Sequence, residues 1–190
     1  MSIKILTPLQ PIHIADGTAF ASFTTFQNVS PDPQLVIPLQ DMEAGCDLEL
    51  EAWGEVSATG TPTFALGFWF NGAAGPAVPT TILAQNALTT LVTTAAAWPW
   101  RARWRGRLRA ASGGASGGSW NGQGEVAIGG SLTGWATGYP CPIPTTKALR
   151  TVTCDVSAAR AVGVGAAFSA SSASNICQVN GLSAVLFTGY

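Results

Sequence analysis

Residues 101–109 read Arg-Ala-Arg-Trp-Arg-Gly-Arg-Leu-Arg, which places five of the chain's nine basic residues at alternate positions: Arg101, Arg103, Arg105, Arg107 and Arg109. Ala102, Trp104, Gly106 and Leu108 lie between them. The two-residue period is that of a β-strand with one apolar and one polar face, whereas a helix would scatter the arginines around its circumference. On a strand the guanidinium stems follow one another at about 7 Å. A column of like charges at that spacing repels itself unless negative groups lie opposite.

The complement occurs earlier in the chain. Asp47, Glu49, Glu51 and Glu55 share one parity, with Trp53 in the same register and Leu48, Leu50, Ala52 and Val56 on the other. This is a second amphipathic strand, and its polar face is acidic. The two ladders are expected to meet, either across neighbouring strands or between subunits, because arginine binds carboxylates bidentately and stacks on tryptophan. The competing readings are two separate solvated faces, or nucleic acid opposite the arginines. A formal net charge of −1 speaks against a dedicated nucleic-acid binder.

Composition bounds the class. A chain of 190 residues favours one domain and can bury a core without staples. Charged residues make up only 10%, against about 25% in ordinary globular proteins, so much of the surface is expected to lie against other chains. No apolar run is long enough to span a membrane. The segment Met1 to Gly17 is broken by Pro8 and Pro11 and reads as an extended arm reaching a neighbour, not a leader or anchor. Cys46, Cys141, Cys154 and Cys177 lack zinc-ligand spacing, and free buried thiols are the expectation, with one or two disulfides as the alternative.

Short β patterns separated by turn chemistry recur along the chain. They cover Ala19 to Phe26, Gln34 to Pro38, Leu48 to Ser57, Thr63 to Asn71, Thr80 to Ala84, Ala87 to Thr93, Gly122 to Leu132, Ala148 to Asp155, Ala161 to Ser169, Asn175 to Val179 and Leu182 to Thr188. Ser57 to Pro62 is turn chemistry, so the acidic strand and the strand bearing Phe64, Leu66, Phe68 and Phe70 are expected to form a hairpin. That hairpin would bury the four hydrophobes and display Trp53 and Trp69 beside the carboxylates. The Gly/Ser/Ala stretch from Ser112 to Ser119 reads as a hairpin tip. Gly72 to Pro79 and Gly134 to Thr146 read as longer loops. The expected architecture is all-β: a two-sheet antiparallel β-sandwich, jelly-roll-like, over residues 19–190, preceded by the arm at 1–18.

Signals for chemistry are weak. His13 is the only histidine and stands in the Pro-rich arm. Gly114-Ala115-Ser116-Gly117-Gly118 has the spacing of a hydrolase elbow but sits in a low-complexity loop, without the strand–turn–helix context that motif requires. Glu49 and Glu51 are same-face neighbours of a kind that any acidic strand contains, and Asp47, Glu49 and Glu51 lack a calcium loop. Asn28-Val29-Ser30 is a glycosylation sequon by pattern alone. No enzyme activity, cofactor or metal is expected. The candidate site is instead a protein interface made by Trp53, Trp69, Glu49, Glu51, Arg101, Arg103, Arg105, Arg107 and Arg109, because Trp and Arg dominate such contacts.

The stretches Leu48-Glu49-Leu50-Glu51-Ala52-Trp53-Gly54, Thr59-Gly60-Thr61-Pro62-Thr63-Phe64-Ala65-Leu66-Gly67 and Ala166 to Asn175 resemble virion proteins of tailed bacteriophages. The resemblance covers roughly Leu48 to Phe187. It implies a jelly-roll-type structural protein of the virion that assembles in the host cytoplasm, often as a trimer. The expected function is capsid decoration, with major capsid protein or other virion subunits as partners and no nucleic acid or membrane. A minor tail protein, or a carbohydrate-binding module for host-surface glycan, is the alternative.

Overall fold

The structure, a computed structural model, describes residues 3–5, 17, 19–31, 34–72, 78–87, 89–91, 95–112, 116–129 and 141–189. The arginine stretch is the middle of a longer strand, Ala95–Ala111, because Trp98-Pro99-Trp100 continues the extended backbone upstream of it. In chain order the strands are β1 (Ile3–Ile5), β2 (Phe20–Ala21), β3 (Gln27–Asn28), β4 (Leu35–Ile37), β5 (Asp47–Ala58), β6 (Thr63–Gly72), β7 (Thr81–Gln85) and β8 (Thr89–Thr90). The remainder are β9 (Ala95–Ala111), β10 (Gly118–Ile128), β11 (Cys141–Ile143), β12 (Thr151–Cys154), β13 (Arg160–Phe168) and β14 (Ile176–Gly189). Single 3-10 turns occupy Leu39–Asp41 and Lys147–Arg150, and no α-helix occurs among the described residues.

These strands form two antiparallel sheets packed face to face, the expected sandwich. The first runs β1-β14-β5-β9-β10-β11, with β12 also on β10 and β2 on β14. The second runs β3-β13-β6-β7, with β4 on β13 and β8 on β6. β9 and β10 are the hairpin expected around the Gly/Ser tip, where Ser112 N–H donates to the Gly117 carbonyl at 2.9 Å. The two segments expected at 175–179 and 182–188 are one strand, β14, with a register shift between Val179 and Gly181.

β5 and β6 do not pair, which corrects the expected hairpin. The Ser57–Pro62 turn carries the chain from one sheet to the other, and β13 and β14 cross back alongside, pairing with β6 and β5 respectively. The reason is the amount of apolar surface on the two strands. A two-stranded hairpin cannot bury its own apolar face, whereas crossing sets Leu48, Leu50, Ala52 and Val56 against Phe64, Leu66, Phe68 and Phe70. All eight side chains are at most 1% exposed. Trp104 and Trp120 meet edge-to-face at 6.1 Å in the same core, and Trp120 packs on Phe70 at 5.7 Å.

Glycines opposite tryptophans are a further organising device. Trp100 faces Gly54, Trp69 faces Gly163 and Trp53 faces Gly181 across neighbouring strands. In each case a Cβ on the glycine would collide with the indole. The missing side chain lets the ring lie flat on the partner strand, which recovers packing that a strand glycine otherwise forfeits.

Of the expected N-terminal arm, residues 3–5 pair with β14 of the same chain, and Gly17 N–H donates to the Val179 carbonyl at 2.9 Å. The rest of the arm, including His13, lies outside the described residues, as do 73–77 and 134–140 of the two expected long loops.

Candidate functional site

The outer face of the first sheet is where the two charged ladders meet. β5 and β9 are neighbours, and their register sets Asp47 opposite Arg107, Glu49 opposite Arg105, Glu51 opposite Arg103 and Trp53 opposite Arg101. Of the two expected ways of meeting, the pairing across strands within one chain is the observed one. On the far side of β9, Asn121, Gln123 and Glu125 of β10 face Arg107, Arg105 and Arg103. On the far side of β5, Phe187, Val185 and Ser183 of β14 face Asp47, Glu49 and Glu51.

The rungs differ in closure. Asp47 is the most enclosed carboxylate, at 13% side-chain exposure. It accepts Arg107 Nε at 2.6 Å, Arg107 Nη2 at 2.9 Å and Arg105 Nη2 at 3.2 Å. The Arg107 hydrogen bond, helped by Arg105 and opposed by partial burial, holds the Asp47 carboxyl below its usual range, and Asp47 in turn raises Arg107. Glu49 takes one arginine contact, from Arg105 Nη1 at 2.8 Å. Glu51 receives Nε and Nη2 of Arg103 on the same oxygen, each at 2.8 Å. Glu49 and Glu51 remain 40% and 44% exposed, and Arg105 and Arg103 61% and 56%. The Arg105 guanidinium also lies over the Phe187 ring at 5.8 Å.

Two of the expected site residues stand apart. Trp69 is fully buried, which corrects its expected place beside the carboxylates. It does project from the outer face of its own sheet, but that sheet is the second one, and the segment after β3 folds over it. Ser30 lies above Gly163 there, with its hydroxyl accepting Val164 N–H at 2.8 Å, and Trp69 Nε1 donates to the Val164 carbonyl at 3.0 Å. Arg109 lies past the end of the acidic column, beside the register shift that separates β9 and β10 near Ser119. It is exposed, and none of the ion pairs among the described residues includes it. Trp53, by contrast, is 49% exposed beside Arg101, as expected.

A shallow depression of about 760 Å³ crosses the ladder face, lined by Glu49, Glu51, Arg103, Arg105, Gln123 and Glu125, with Arg150 and Val185 at its margins. Sequence parity reached the β5 and β9 residues, but Gln123, Glu125 and Arg150 entered only through strand order. Five carboxylates (Asp47, Glu49, Glu51, Glu55, Glu125) and the five arginines of β9 project from this sheet. The face is therefore strongly charged yet balanced, and it offers no net positive field to a polyanion. A second groove of about 590 Å³ runs between β7 and β12 and contains no ionisable side chain.

Ser116 stands at the turn between β9 and β10, and a strand follows it, not a helix. None of the four cysteines forms a disulfide among the described residues; Cys46, Cys154 and Cys177 are buried and Cys141 is partly exposed. Burial pushes the Cys46 thiol up to about 11 and the Cys154 thiol up to about 12. Among the described residues no group of His, Cys, Asp and Glu is arranged to hold a metal ion. No described helix is long and apolar enough to cross a membrane.

No family model matches this chain, no curated protein matches its sequence, and no solved structure matches its fold.

Proposed function

We propose that the chain is a structural protein of a tailed-bacteriophage virion, a capsid decoration protein that binds major capsid subunits and stabilises the shell. The observation that carries the reading is the ladder face: a broad, shallow, charge-balanced sheet surface with an exposed tryptophan at one end. Its arginine and tryptophan content suits protein contact, and its openness suits a large, flat partner better than an enclosed small molecule. The low charge content of the whole chain and the resemblance of Leu48 to Phe187 to tailed-phage virion proteins support the same reading. No catalytic role is assigned to Glu49 or Glu51, because each is engaged by an arginine in an open setting.

The test is addition of the purified chain to undecorated capsids of the phage that encodes it. Saturable, stoichiometric uptake with a gain in shell stability is expected. Absence of the chain from purified virions by mass spectrometry refutes the proposal, and density confined to the tail supports the minor-tail alternative. Exposure of Trp53 beside the depression is the one feature that favours a glycan reader. Sugar-array binding lost in Trp53→Ala, with capsid uptake unchanged, would establish that function instead.

A further inference from the structure

The ladder face is complementary to itself, and from this we infer that its occupant is a second copy of the same chain, docked face to face about a two-fold axis. The inference rests on reading this face as a protein-contact surface and gives the face to a second copy, so that capsid subunits would meet the outward surfaces of the dimer. β5 carries the negative column and β9, its immediate neighbour, the positive one, at matched heights along the strands. A two-fold axis lying in the interface, parallel to the strands and midway between β5 and β9, sets β5 of each copy over β9 of the other. That rotation leaves height along the strand unchanged. Glu51 then meets Arg103 of the second copy, Glu49 meets Arg105, and Trp53 meets Arg101. The Glu51–Arg103 and Glu49–Arg105 rungs each become a ring of four charges alternating in sign. An isologous contact of this kind closes after two copies, unlike the trimer that the phage resemblance implies.

The side chains retain capacity for it. Asp47 already accepts three arginine hydrogen bonds, whereas both contacts to Glu51 fall on Oε1, which leaves Oε2 to accept. Arg103 and Arg105 remain more than half exposed after their internal pairing. Glu125 makes no ion pair among the described residues, although it stands directly across from Arg103. A face already neutral in sum repels neither a copy of itself nor a balanced partner, but only a copy meets it in register at every rung.

Size sets the expected strength. From Asp47 to Trp53 the ladder is about 20 Å long, and four strands make it about 19 Å wide. That footprint is below the roughly 800 Å² per partner of a standard interface. Association is therefore expected at micromolar concentrations and is expected to weaken with salt, as the screening length contracts from about 30 Å at 0.01 M to about 3 Å at 1 M.

Sedimentation equilibrium of the wild-type chain at the two salt concentrations tests this without any substitution. The expected mass approaches twice 19.5 kDa in low salt and falls to 19.5 kDa in high salt. A second arm uses the column-exchanged variant Glu49→Lys, Glu51→Lys, Arg103→Glu, Arg105→Glu, Glu125→Lys, which keeps the 49–105, 51–103 and 103–125 contacts oppositely charged and leaves Asp47 its Arg107 partner. Once circular dichroism and Tm show that it folds, it is expected to pair with itself but to bind wild type about a hundredfold more weakly, since like charges then face one another. Subunit exchange between differently labelled proteins reads this directly. A wild-type mass of 19.5 kDa in low salt, or free mixing of variant with wild type, overturns the inference. A monomer that still decorates capsids refutes the dimer alone, and a dimer absent from virions refutes the virion reading alone.

Discussion

Asp47→Ala and Arg107→Ala, alone and together, form the double-mutant cycle that most directly probes the ladder, with Glu51→Ala and Arg103→Ala as its internal reference. Exposed ion pairs typically couple by about 0.2–1 kcal/mol, and the Glu51–Arg103 pair, about half exposed on both sides, belongs at the lower end, near 0.5 kcal/mol. Asp47 differs because it is only 13% exposed and accepts hydrogen bonds at 2.6, 2.9 and 3.2 Å from two arginines. Hydrogen bonds to charged groups contribute about 1.5–3 kcal/mol, and discounting for the open guanidinium of Arg107 leaves about 1–2 kcal/mol of coupling. At about 2–4 °C per kcal/mol in a chain of this length, that coupling corresponds to about 2–8 °C in Tm. Urea unfolding followed by tryptophan fluorescence, at about 0.1 M and about 1 M salt, measures both couplings. The outer pair is expected to lose its coupling in high salt and the Asp47 pair to keep roughly half, being less screened. Equal couplings in the two cycles, or complete loss of the Asp47 coupling in salt, would refute the view that enclosure distinguishes the rungs.

Trp69→Ala is expected to destabilise by about 3–5 kcal/mol in urea unfolding, whereas Trp53→Ala is expected to stay within about 1 kcal/mol, since only the first empties a buried site. Gly54→Ala would drive a methyl group into the Gln178 carbonyl and to within 2.7 Å of the Trp100 ring; a loss of about 1–3 kcal/mol is expected by the same measurement. Asp155 is held down to about 2, first by the Ser157 hydroxyl and backbone N–H and then by Arg160. A depressed carboxyl contributes stability that is present above its unfolded value near 4 and lost as pH falls toward 2, so Asp155→Asn should flatten the acid limb of a stability–pH curve over that window. An unchanged acid limb would sink that assignment. Ellman's reagent at pH near 8 should modify Cys141 first in the native protein, with Cys46, Cys154 and Cys177 reacting only after unfolding.

Strand alternation was legible at 47–56 and 101–109 because a period of two carries each side chain to a definite face, whatever the strand's neighbours. Parity therefore identified Leu48, Leu50, Trp104 and Leu108 as core and the carboxylates and arginines as outward, and all-β sandwich architecture followed from the spacing of turn signals. Opposite charge on two amphipathic strands also implied that they would meet. Parity says nothing about which sheet a strand joins, so the β5–β6 connection read as a hairpin when it is a crossing between sheets. Nor does it report what lies above a face. Trp53 and Trp69 look alike in sequence, yet one is half exposed and the other is fully buried. The Trp–Gly pairs were hidden for the same reason, since Gly163 and Gly181 stand far along the chain from the rings they support. Local pattern is a property of the backbone repeat and can be read from consecutive residues. Cover, strand order and the enclosure of Asp47 over Glu49 and Glu51 arise between segments distant in sequence, and only the folded chain brings those segments together.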